Sequence, residues 1–212
     1  MTTNQKVIFL EALNLLKDYN ESLVKESPEL LKQLSDSKLR MLTYNVNRLC
    51  LNRAEDVKQY LIDDGANIIG LQEVSKELKT WKINPSWKMI VSSYCALILT
   101  NPKLWLVSKS KLFGGCLIKA IIRYDEQFTF TAICVYAPSN DKNNLRFWKK
   151  ARSLKAEGIV ILFGDVNTVA DPRFDVFGGK KVPHLGATAF ALVLQKLKLQ
   201  DLLLPVLTLS TT

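Results

Sequence analysis

Five polar side chains, Asn45, Glu73, Tyr136, Asp165 and Asn167, each stand where a short apolar run gives out. Ile159-Val160-Ile161-Leu162-Phe163 reads as a buried strand. Gly164 then lets the backbone turn sharply, and Asp165 and Asn167 follow at spacing two, which points both side chains to one side of a strand end. A carboxylate and a carboxamide placed this way can accept a proton from water and donate a hydrogen bond to an oxyanion. Glu73, beside amides and a second acid, makes a hard-oxygen environment that suits Mg²⁺ or Mn²⁺. Such a cation polarises a phosphoryl oxygen and steadies a leaving oxygen, while Asp165 aligns or deprotonates the attacking water. Asn167 and Tyr136 are placed to donate to the non-bridging phosphate oxygens. Taken singly, the same residues have plainer readings. Gly-Asp-x-Asn alone is most often a strand followed by an Asx turn. Glu73 alone is more often a surface acid, and Tyr136 alone a core aromatic at a strand end.

The elements that must position these groups are short. Leu39 to Val46 is predicted as a strand ending in Asn45 and Asn47. Arg53 to Ile62 reads as a helix stopped by Asp63-Asp64-Gly65, and Ile68 to Leu71 as a strand ending at Gln72-Glu73. Five apolar runs follow: Trp87 to Val91, Cys95 to Thr100, Leu104 to Val107, Cys116 to Arg123 and Phe128 to Tyr136. Their spacing of about ten residues predicts an antiparallel sheet or sandwich. Leu145 to Ala156 is a basic helix, read either as a solvated face or as a surface for a DNA backbone. Ala187 to Leu199 is another helix. Residues 5–34 carry Val7, Leu10, Leu13, Leu16 and Tyr19 at helical spacing, with a second helix start behind Ser27-Pro28. The expected organisation is therefore a helical appendage over residues 1–38 and one α/β domain over residues 39–212.

Charge is unevenly placed. The net charge of the 212 residues is +9, yet residues 1–38 hold five Lys against six acids, a net of −1. The remaining body, with 24 Lys and Arg against 14 acids, carries +10. That suggests a polyanionic partner, nucleic acid first and an anionic membrane surface second, with a generally solvated lysine-rich surface as the plain alternative. No apolar run approaches the roughly 18 residues of a membrane-crossing helix. Cys50, Cys95, Cys116 and Cys134 are widely spaced, which is neither a zinc pattern nor a disulfide framework. Free thiols in a reducing, intracellular compartment are expected.

Four segments occur in an order that resembles a known family. Thr43-Tyr44-Asn45-Val46-Asn47-Arg48-Leu49, Leu71-Gln72-Glu73, Tyr136-Ala137-Pro138 and Gly164-Asp165-Val166-Asn167 look like the successive motifs of the endonuclease/exonuclease/phosphatase superfamily. That superfamily includes apurinic/apyrimidinic endonucleases, sphingomyelinases, inositol phosphatases and the endonuclease domains of LINE-type non-LTR retrotransposons. The run from Gly164 to Asp175, and Tyr136-Ala137-Pro138 followed by Arg146-Phe147-Trp148, look most like the retrotransposon branch. The resemblance covers residues 39 to about 205. It implies a four-layered α/β sandwich, with two mainly antiparallel sheets packed face to face and helices outside, and metal-dependent cleavage of a phosphodiester. By motif position Glu73 would hold Mg²⁺ or Mn²⁺, with Asn45 assisting and Asn47 supporting the metal site. Tyr136 would contact the phosphate, Asp165 would orient the water and Asn167 would stabilise the transition state.

The family pattern continues with a Ser-x-Ile-Asp-type strand and a C-terminal Ser-Asp-His, and the sequence ends at Thr212 before either. The expectation is therefore a fold incomplete at its C-terminus with impaired catalysis. His184, the only histidine, is expected to be an exposed loop residue, and Asp171, Asp175 and Asp201 to cap loops or helices. DNA is the expected partner, contacted by Arg48, Arg146 and Lys149. No membrane and no stable protein partner are expected, although residues 1–38 could meet one. A nuclear location follows if the substrate is chromosomal. The alternatives are a non-catalytic nucleic-acid-binding remnant and a phosphatase or lipid phosphodiesterase of the same superfamily.

Overall fold

The structure, a computed structural model, describes residues 39–49, 54–75, 78, 80–81, 83–126, 128–156, 158–168 and 185–199. The predicted helices over 5–34, the apolar run 202–204, Cys50, Asp171, Asp175, His184 and Asp201 lie outside them. In chain order the elements are β1 (Met41–Leu49), α1 (Ala54–Asp64), β2 (Ile68–Val74), β3 (Lys88–Val91), β4 (Cys95–Leu99) and β5 (Leu104–Leu112). A single 3₁₀ turn (Phe113–Gly115) leads to β6 (Leu117–Tyr124), β7 (Phe128–Tyr136), α2 (Asp141–Ala151), β8 (Ile159–Asp165) and α3 (Ala187–Lys196).

The strands form two four-stranded sheets, ordered β1-β2-β4-β3 and β5-β6-β7-β8. Each is antiparallel except for one parallel pair, β1 with β2 and β7 with β8. A parallel pair needs a crossover, and α1 and α2 are the helices that the sequence places between those strands. Alternation along the strands sends one set of side chains between the sheets, among them Met41, Ile68, Leu97, Ile118, Phe130 and Phe163. The opposite face of the first sheet packs on Val57 and Leu61 of α1. That of the second packs on Phe147 and Trp148 of α2 and Phe190 of α3. Helix, sheet, sheet, helix is the four-layered α/β sandwich expected.

Of the boundaries that differ from the sequence reading, two have a plain physical cause. β5 runs on through Ser108-Lys109-Ser110-Lys111, all exposed, because pairing with β6 rather than burial holds this edge strand. Lysines on such an edge also discourage further strand pairing. α2 starts at Asp141, ahead of the predicted Leu145, because the Asn140 side chain caps it by accepting from the Asn143 N–H.

One close approach brings the sheets together beneath the strand ends. Gly70 of β2 faces Phe163 of β8, and a Cβ on Gly70 would lie 2.4 Å from the Phe163 ring and 3.0 Å from Cys134 Sγ. The missing side chain is the room the ring occupies, so the ends of β2 and β8 sit close across the sandwich.

Candidate active site

The parallel registers do the first part of the positioning. β1 pairs with β2 so that Asn45 stands opposite Gln72, beside Glu73. β7 pairs with β8 so that Tyr136 stands opposite Asp165. The four predicted strand ends thus become two neighbouring pairs, one on each sheet, at the same end of the sandwich.

Asn45 joins the pairs. Its Nδ2 donates to Glu73 Oε1 and to Asp165 Oδ2, both at 3.0 Å, across 120 residues of sequence in the second case. Its Oδ1 accepts from the Asn47 N–H at 3.0 Å, which fixes the amide with its nitrogen toward the acids. Tyr136 Oη donates to Glu73 Oε1 at 3.3 Å. Asp165 Oδ1 accepts from the Asn167 N–H at 3.1 Å, the Asx turn that Gly-Asp-x-Asn suggests. Asn167 Nδ2 donates to the Ala137 carbonyl at 2.8 Å, so one of its amide hydrogens is engaged with the neighbouring loop. The sequence-predicted residues Asn45, Glu73, Tyr136, Asp165 and Asn167 therefore converge. Asn47 contributes through its backbone N–H.

The backbone here is strained. Asn47, Arg48, Glu73 and Asn167 all have positive φ, between 44° and 59°. Non-glycine residues in that region are uncommon and cost on the order of 1–3 kcal/mol each unless their surroundings hold them. Four of the seven such residues described lie in or beside these motifs, so the strand ends are shaped for something other than stability.

Two carboxylates meet at one amide nitrogen, and among the described residues no Lys or Arg forms an ion pair with either. Adjacent acids without a basic partner are a hard-oxygen donor set, and they fit a divalent cation. With Asn45 turned nitrogen-first, the donors on offer are the carboxylate oxygens of Glu73 and Asp165. Among the described residues no group of three or more His, Cys, Asp or Glu gathers, so such a cation would retain several waters.

Tyr136 feels the same acids. Burial, then the charge of Glu73 and the hydrogen bond to it, and then the charge of Asp165 push its phenol up from 10.0 to about 12. It therefore stays an O–H donor well beyond neutral pH. Stability linked to the protonated phenol is complete below pH 10 and is lost as pH rises through about 12, because the unfolded chain releases this proton first. Ultraviolet titration should show one tyrosine ionising near pH 12, and Glu73→Gln should move that ionisation back toward 10.

The nucleic-acid candidates are less concentrated. Arg48 is exposed near the end of β1, and Arg146 and Lys149 are exposed on α2; none of them pairs with Glu73 or Asp165. Cys95 and Cys134 are buried and Cys116 is half-buried, all three as free thiols. Burial pushes the Cys95 and Cys116 thiols up, so they behave as core residues rather than nucleophiles.

Sequence reasoning missed two neighbours of the site. Tyr94, 47% exposed, stacks on Tyr136 with ring centroids 6.0 Å apart. Its backbone is tied to Val74 and Gly115. Nothing in Ser92-Ser93-Tyr94 separates it from an ordinary turn tyrosine. Asn144 is buried under the Asp165 loop, and a readable signal existed for it. It shares the helical stripe Asn144, Phe147, Trp148, Ala151, where a polar residue is out of place.

No protein-family profile and no curated protein sequence matches the chain. Solved structures share its fold. The endonuclease domain of TRAS1, described as a telomere-specific non-LTR retrotransposon, is 17% identical with a TM-score of 0.54, over 74% of this chain and 71% of that one. An AP endonuclease from Archaeoglobus fulgidus is 16% identical with a TM-score of 0.57, over 73% of this chain and 69% of that one. For a D. rerio TDP2 humanized by 14 mutations the figures are 15% and 0.48, and the match takes in 61% of this chain and 62% of that one. By its likeness to the first two, the chain shares the fold of these two endonucleases. No helix among the described residues is long and apolar enough to cross a membrane.

Proposed function

We propose that the protein is a phosphoesterase of the hydrolase class, and more narrowly a DNA endonuclease of the kind found in non-LTR retrotransposons. The observation that carries the reading is the Asn45 amide nitrogen held at 3.0 Å from both Glu73 and Asp165, with the Tyr136 phenol on Glu73. The neighbours support the coarser reading, since the TRAS1 domain and the archaeal protein are both described as endonucleases. The net charge of +9 supports a polyanionic substrate.

Glu73 and Asp165 would hold Mg²⁺ or Mn²⁺, with Asn45 and Asn47 as the supporting residues. Such an ion supplies polarisation of a phosphoryl oxygen and charge for the leaving group when bound. The rest of the work belongs to the chain. Asp165, fixed by the Asn167 N–H and by Asn45, takes or directs the proton of the attacking water. Tyr136 turns its one phenolic hydrogen from Glu73 Oε1 to a non-bridging phosphate oxygen when substrate binds, and the second amide hydrogen of Asn167 serves the same role. Arg48, Arg146 and Lys149 contact the DNA backbone.

Nicking of supercoiled plasmid with Mg²⁺ tests the catalytic half, and retention of DNA against salt concentration tests the binding half. Retention should fall linearly on a log–log plot, and the double variant Arg146→Ala/Lys149→Ala should flatten its slope by about 2. Steep salt dependence without any nicking would replace the proposal with a non-catalytic nucleic-acid-binding protein. Turnover of a small soluble phosphate ester in preference to plasmid would point to a phosphatase instead.

A further inference from the structure

Asn144 is fully buried at 0% exposure on the inner side of α2, in a stripe that is otherwise apolar. Its Nδ2 donates to three backbone carbonyls, those of Pro138 at 3.0 Å, Val166 at 3.2 Å and Asn167 at 2.9 Å. The first belongs to the loop that leaves β7 just after Tyr136. The other two belong to the loop that leaves β8 just after Asp165. Two further bonds join these loops, from the Ala137 N–H to the Asp165 carbonyl and from Asn167 Nδ2 to the Ala137 carbonyl. One nitrogen with two hydrogens, shared among three carbonyls, thus ties both loops to α2 from beneath.

Two features show that this place in the core is specified closely. Asn167 is held at φ 44°, and the carbonyl on its far side is one of those Asn144 captures. Gly186, at the start of α3, lies against the other end of the amide, where a Cβ would come 1.9 Å from Asn144 Oδ1. Among the described residues that oxygen is buried with no hydrogen-bond partner, as is Thr168 Oγ1 close to the same glycine. An apolar residue would avoid an orphaned acceptor. The amide is present in spite of that cost, and what it provides is a fixed separation between the two loops.

We propose that Asn144 is a positioning residue, which acts through the loop carbonyls to hold Asp165 and Asn167 in register with Tyr136. The inference rests on the phosphodiesterase reading for its effect on rate, but not for its effect on the loops. Without the shared donor the Asn167 carbonyl turns away, the residue relaxes out of the left-handed region and the Asp165 carboxylate leaves its place beside Asn45. A displacement of about 1 Å at a catalytic group costs on the order of a hundredfold in rate.

The test is Asn144→Leu, which has the same branched heavy-atom skeleton, is somewhat larger, and removes the donor. Two readouts apply, steady-state nicking kinetics and amide hydrogen exchange. Expected are a fall in kcat of about 10–100-fold with KM within about twofold, and exchange at the Ala137 and Asn167 N–H groups at least about tenfold faster. Amides in the middle of β6 should be unchanged. If the leucine variant does not fold, Asn144→Ser, which retains one donor, is measured the same way and should show the same pattern at smaller size. A folded variant with native exchange at Ala137 and Asn167 overturns the proposal, whatever its activity. Faster exchange in a protein whose wild type shows no nicking would uphold the positioning role and reject the phosphodiesterase reading.

Discussion

Glu73→Gln should reduce Mg²⁺-dependent nicking by about 10²–10⁴-fold, and Asp165→Asn by a similar factor. Both substitutions preserve shape. Glutamine retains an oxygen that can accept from Asn45 Nδ2 and from the Tyr136 phenol, as Glu73 Oε1 does. Asparagine retains an oxygen for the Asn167 N–H, as Asp165 Oδ1 does, although its amide nitrogen cannot accept from Asn45 Nδ2 as Oδ2 does. What each removes is one negative charge from the pair of carboxylates that meet Asn45. The fold should therefore stay within about 1 kcal/mol of wild type by denaturant melt, because no packing is lost. The double variant should be little worse than the poorer single one, since both acids serve one step and such effects are not additive. Initial nicking rates on gels, taken beside the melts, decide the matter. Nicking that survives in either folded single variant would place the chemistry elsewhere in the molecule.

The strand ends could be read from sequence because burial and chemistry alternate sharply there. Ile159 to Phe163 stops at Gly164-Asp165, and Ile68 to Leu71 stops at Gln72-Glu73, and the structure puts strands at both. Which ends meet could not be read. The contact of Asn45 with Asp165 spans 120 residues and depends on two sheets closing where Gly70 admits the Phe163 ring. No local pattern encodes that. The register that sets Tyr136 opposite Asp165 is likewise a property of the folded β7–β8 pair. Glu73 at φ 59° has no signal either, because the usual marker of a left-handed residue is glycine or asparagine. The exposed half of β5 was missed for the opposite reason. Its side chains face solvent, and only its backbone knows that it is a strand.

Gly164→Ala should be the most damaging single-methyl change at the site, costing about 3 kcal/mol or more and abolishing activity. Gly164 has φ +129°, and a Cβ there would lie 2.1 Å from the Val135 carbonyl oxygen and 2.9 Å from its nitrogen. Those are backbone atoms of the strand it pairs with, so no side chain can swing away to make room. Relief requires β8 to separate from β7 at the register step just before Tyr136 opposite Asp165. The carboxylate would then be carried from Asn45 by the same movement. Gly158→Ala is the comparator, because Gly158 also has a positive φ, +68°, but nothing within 4 Å of its would-be Cβ. It should show the left-handed penalty alone, about 1–2 kcal/mol, with nicking unchanged. Urea denaturation of both variants separates the clash from the backbone term. Equal losses in the two would mean that β7 and β8 do not pack as closely at Val135 as the structure has them, and the geometry beside Asp165 would have to be redrawn with them.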